Sequence, residues 1–182
     1  MFRRRPRTEP DPLAHIDPAA APRRFAAAVS EALAARRRFV ELLDGLRPGP
    51  VRDRLAALAP RIDAGVTAVW DAAQRAGEME RVLATLDPER VTDEYKQARR
   101  SGADPTVVAA HEARFSSVQR LLNTIDDIDD RLRLLDVRLD GAVARAAEVA
   151  LASGAGADEL DAELADVVDE LGALRSALDE VG

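Results

Sequence analysis

LLNTIDDIDDRLRLLDVRLD, residues 121–140, decides the fold. Six aspartates stand there among leucines and isoleucines: Asp126, Asp127, Asp129, Asp130, Asp136 and Asp140. The apolar residues around them run Val118, Leu121, Ile125, Ile128, Leu132, Leu135, Leu139, Ala142, Ala146 and Val149. Their alternating steps of three and four are a heptad seam. With Ile125 and Leu132 at position a and Ile128 and Leu135 at d, Asp126, Asp127 and Asp130 fall at b, c and f, outside the seam. Asp129 and Asp136 fall at the flanking e position, and Arg131, Arg138 and Arg145 at g. The aspartates therefore read as the wet side of a long helix. A partner-facing acidic patch at Asp126, Asp127 and Asp130 is the functional alternative.

The punctuation of the rest of the chain is clean. Asp17-Pro18, Asp87-Pro88 and Asp104-Pro105 each place a capping aspartate before a proline suited to the first helical turn. Gly49-Pro50 and the SGAGAD run at 153–158 mark the other breaks. Five helices are predicted, at about 20–46, 51–86, 88–100, 105–152 and 158–181. Pro60 interrupts the stripe Val51, Leu55, Leu58, Ile62, Val66, Val69 without shifting it, which predicts a kink inside the second helix. At roughly 1.5 Å per residue the fourth helix would be about 70 Å long, too long for a compact ball. The expected fold is all-α: a single domain over 17–182, an elongated antiparallel bundle running up-down-up-down. A long coiled-coil hairpin ends it, and residues 88–100 form a short corner helix. Residues 1–16, rich in Pro and Arg, read as a disordered basic arm.

The hairpin has a predicted register. Leu160, Leu164, Val167, Leu171, Leu174, Leu178 and Val181 continue the heptad beyond the glycine run, with Glu163 and Glu170 at g. Folding the fifth helix back on the fourth sets g against g and e against e. Arg145 then faces Glu163, Arg138 faces Glu170, Asp136 faces Arg175 and Val143 faces Val168. The fifth helix covers only the latter half of the fourth, so Val107 to Ile128 needs cover from the first two helices or from another copy.

Composition narrows the function classes. Apolar residues make up 47% of the chain and aromatic ones 3%, so the core must be aliphatic and alanine-rich. Cysteine is absent, which excludes disulfides and thiolate metal sites. The net charge of -7 hides a gradient, from +4 over residues 1–50 to -8 over residues 154–182. An acidic whole argues against general nucleic-acid binding, which depends on neutralising phosphates. Lys96 stands alone beside 25 arginines, a bias that points to GC-rich codons and a bacterial source. No signal peptide or membrane span is legible, and a cytoplasmic location is the default.

Chemistry-bearing constellations are sparse. A bundle di-metal site would need inward Glu-x-x-His pairs, and the sequence holds none. His111, Trp70 and Tyr95 read as packing residues, and Arg36, Arg37 and Arg38 as a basic patch that could meet acidic surface within the molecule. Arg3, Arg4, Arg5 and Arg7 could touch anionic lipid or an acidic protein. The sequence predicts no cofactor, no small-molecule substrate and no enzyme. The expectation is a helical scaffold or protein–protein interaction module, self-associating through its helices. A peripheral membrane component using the arginine arm is the alternative.

Overall fold

The computed structural model describes residues 11–152 and 157–181, with the side chains of 157, 171, 172 and 174–181 outside that description. Among the described residues there are six α-helices: α1 (Ala26–Gly45), α2 (Pro50–Ala56), α3 (Ala59–Leu86), α4 (Pro88–Arg100), α5 (Pro105–Leu151) and α6 (Ala157–Val181). The chain is all-α, as its periodicity predicts. The capping aspartates act as expected. Asp87 accepts a hydrogen bond from the Arg90 amide at 3.2 Å, and Asp104 one from the Thr106 amide at 2.8 Å. Asp17 caps only a 3-10 turn, Pro18–Ala20. Asp87 alone bridges α3 to α4, in the left-handed conformation that turns the chain sharply (φ 52).

Ion pairs fix the helix directions. Arg24 reaches Glu80 while Arg36 reaches Asp63, so α1 and α3 are antiparallel. Arg24 with Asp126 and Arg38 with Asp140 make α1 and α5 parallel. Arg138 with Glu170 and Arg145 with Glu163 make α5 and α6 antiparallel, in the register read from the heptads. The long helices α1, α3, α5 and α6 thus run up, down, up, down. Both α1 and α6 pack against α3 and α5, whereas contact between them is slight. The section is a rhombus whose short diagonal is α3–α5. Small buried residues on both of those helices permit that close approach: Ala72, Ala73 and Ala76 on one, Ala142 and Ala146 on the other.

Several expectations are corrected. The helix expected over 51–86 is two helices. Pro60 has no N–H to offer the Ala56 carbonyl, so the chain turns at Ala57-Leu58 and α3 restarts with Pro60 in its first turn. The first helix starts at Ala26 instead of about 20, after the 3-10 turn and Pro22. Residues 11–16 belong to the packed body. Leu13 and Ile16 are buried, and Asp11 accepts two hydrogen bonds from Arg36 at 2.9 and 3.2 Å. A bond from the Leu13 amide, reinforced by Arg36, holds the Asp11 carboxyl below its ordinary range. Residues 1–10, with the rest of the expected arm, lie outside the described residues. Behind this segment Pro22 sits on α3 where only glycine fits: a Cβ at Gly77 would lie 2.2 Å from the Pro22 ring.

The amino-terminal part of α5 finds its cover mainly in α4, a source the sequence reading did not weigh. Val91 and Ala98 of α4 are buried, and Tyr95 stacks on Phe115 of α5 with ring centroids 5.0 Å apart. Arg114 pairs with Glu94 at 2.9 Å across the same contact, and His111 lies 4.0 Å from that carboxylate. Trp70, by contrast, packs half-buried against the main core.

Candidate interaction surface

Helices α1, α3, α4 and α6, with a smaller contribution from α2, lie against one side or another of α5, so its faces can be assigned in turn. The inner face is the heptad seam. Ile125, Ile128, Leu132, Leu135, Leu139, Ala142 and Ala146 are essentially inaccessible. The g flank faces α6 through Arg138 and Arg145. The e flank faces α1, where the hairpin register had set it against α6. Asp129 receives Arg24 at 3.3 Å, and Asp136 lies within the electrostatic reach of Glu31 and Arg38. The partner expected for Asp136, Arg175, lies outside the described side chains, as does the Leu171-to-Val181 part of the seam.

The aspartate run is divided by this geometry. Asp129 is buried and holds two guanidinium groups, Arg24 and, one turn on, Arg133 at 2.7 Å. Asp126 is exposed on its outer side but accepts a 2.6 Å hydrogen bond from Arg24. Asp130 is exposed, 3.6 Å from Arg133, and Asp127 is exposed. Arg24 thus ties the start of α1 to the middle of α5, and the hydrogen bond to Asp126 leads in raising its pKa. Arg3, Arg4, Arg5 and Arg7 lie outside the described residues. Two arginines of the Arg36–Arg38 patch are engaged within the molecule, Arg36 by Asp11 and Asp63 and Arg38 by Asp140, while Arg37 is exposed.

The fourth face of α5 is the outer one, and here the sequence reading missed a feature. Leu134, Val137, Gly141, Ala144 and Leu151 recur at heptad spacing, offset by two residues from the inner seam. Two residues of helix turn through about 200°, so this second stripe lies opposite the first. It is in solvent: Val137 is 69% exposed, Leu134 44% and Leu151 88%. Glu148 interrupts it. The signal was present in the spacing, but the stronger aliphatic seam two residues away masked it.

Elsewhere among the described residues the large exposed apolar side chains are isolated ones, Val82 on α3 and Val107 near the start of α5. Two shallow grooves flank Lys96 on α4, one reaching Thr92, Gln119 and Leu122, the other Gln97, Arg100 and Ser101. Among the described residues no group of three His, Asp or Glu side chains is arranged to hold a metal ion. No described helix is long and apolar enough to cross a membrane. Set against models of known protein families, curated proteins and solved structures, the chain matches none.

Proposed function

We propose that this chain is a non-enzymatic helical scaffold that associates with further copies of itself through the outer face of α5. The observation that carries this reading is the exposed stripe Leu134, Val137, Gly141, Ala144 and Leu151. A helix with an aliphatic seam on its inner face gains nothing in monomer stability from a second one in water. Branched residues at that spacing supply knobs, and Gly141 and Ala144 leave room for a facing helix. The patch is narrow, which suits a weak or multivalent association better than a permanent dimer.

Sedimentation of the full chain over a wide concentration range tests this. The proposal expects mass to rise with concentration for the parent protein and to stay monomeric for Val137→Asp, whose side chain takes no part in the core. A parent protein that remains monomeric throughout, or a variant that associates equally well, refutes it.

A further inference from the structure

Asp129 and Asp136 are seven residues apart and occupy the same heptad position on the same flank of α5, facing the same helix. Asp129 is satisfied by Arg24 and Arg133. Asp136 is not. Its Oδ1 is buried and has no hydrogen-bond partner among the described residues. The charged groups that bear on it among the described residues are Glu31 and Arg38 from α1 and Asp140 one turn along α5. Arg38, the one cation of the group, is committed to Asp140 by a direct hydrogen bond. Three carboxylates therefore meet one engaged guanidinium at a helix contact, and the most enclosed of them has an orphaned oxygen. An ionised carboxylate in that position loses hydration without replacement and repels its neighbours, whereas the neutral acid can donate its proton to one of them.

We propose that the α1–α5 contact is a proton-dependent clasp, in which protonation of Asp136 in mild acid draws α1 onto α5 and ionisation at neutral pH loosens it. The step is a simple proton uptake: the Asp136 carboxylate takes one proton from solvent, and the resulting acid replaces a repulsion by a hydrogen-bond donor. The electrostatics agree in direction. Burial, joined by Asp140 and Glu31 and opposed by Arg38, pushes the Asp136 carboxyl up to about 6 from an ordinary 3.8. The folded protein holds this proton more tightly than the unfolded chain. Its stabilising contribution is fully present below the unfolded value and is lost as pH rises through about 6. Asp129, clamped by two arginines, is the built-in contrast along the same seam.

The test uses the full chain and Asp136→Asn, with urea denaturation midpoints between about pH 7.5 and 5.5 and a carboxyl-carbon NMR titration of the parent. The parent midpoint should rise on acidification. Asp136→Asn should begin above the parent at neutral pH and stay level, because the amide is neutral at every pH. Amide protection of Val29–Phe39 should fall with rising pH in the parent, after correction for intrinsic exchange, and not in the variant. The NMR titration should assign a midpoint near 6 to Asp136, and it decides the matter even if the variant folds poorly. Parallel midpoint curves for the two proteins, an Asp136 that titrates in the ordinary carboxylate range, or a raised titration belonging to Glu31 or Asp140 instead would overturn the proposal.

Discussion

By its backbone α5 is one uninterrupted helix of 47 residues, yet its two halves live in different surroundings. From about Ile125 to Val149 it is enclosed by α1, α3 and α6, and every a and d residue is buried. From Pro105 to Ser117 no residue is fully buried, and Val107 is 47% exposed. The cover there is largely one 13-residue helix, α4, held by Val91, Ala98 and the Tyr95–Phe115 stack. The lesson is that helical continuity and helical stability are separate properties. Hydrogen bonds along a helix carry it past the point where tertiary packing protects it.

The largest expected effect lies in the enclosed half. Leu135, at 0% exposure, is a d residue, and Leu135→Asp would leave an unpaired charge among aliphatic side chains. We expect a loss of more than about 4 kcal/mol, enough to abolish cooperative folding, as read by thermal or urea denaturation. The same charge placed by Val107→Asp in the projecting half should stay within about 0.5 kcal/mol of the parent. Equal damage at both sites would show that α5 is uniformly packed.

Much of this contrast was legible in the sequence. The a and d residues from Ile125 to Val149 are buried as their spacing requires, and opposite charges at g set the α5–α6 register through Arg138–Glu170 and Arg145–Glu163. The heptad could not reveal which helix lies across the other flank. A carboxylate at e accepts an arginine from any neighbour, and Arg24 stands more than a hundred residues upstream of Asp129. Leu13 and Ile16 were illegible for another reason. Two aliphatic residues in a Pro-rich stretch carry no periodic signal, and their burial comes from tertiary contact alone. For α4 the apolar face is too thin to announce itself, amounting to Val91, Tyr95 and Ala98 in 13 residues.

Gly77→Ala probes the packed body at the contact between α3 and the amino-terminal segment. In an exposed helix this change would add up to about 1 kcal/mol of stability. Here the new methyl group would meet the Pro22 ring at 2.2 Å, and a proline ring cannot rotate away. We expect a net loss of about 1–3 kcal/mol by urea denaturation, with hydrogen exchange quickened around Ile16 and Phe25. A stabilised variant would show that the amino-terminal segment is loosely held.

The smallest effect concerns the α5–α6 register. Arg138→Glu should cost a few tenths to about 1 kcal/mol, since the pair is partly exposed. Adding Glu170→Arg should recover most of that loss, and Glu163→Arg less, because Glu163 lies 3.1 Å from Arg145. A double-mutant cycle separates this coupling from the change in net charge. Absence of coupling at Glu170 would place α6 against a different stretch of α5.

Native-state hydrogen exchange along α5 separates its two halves in a single experiment, because it reads the stability of each turn of one helix. Amides of α4 and of residues 105–117 should exchange through local openings, well below the global unfolding free energy. Those from Ile125 to Ala146 should exchange only with global unfolding. Uniform protection from one end of α5 to the other, with α4 protected to the same level, would contradict this division.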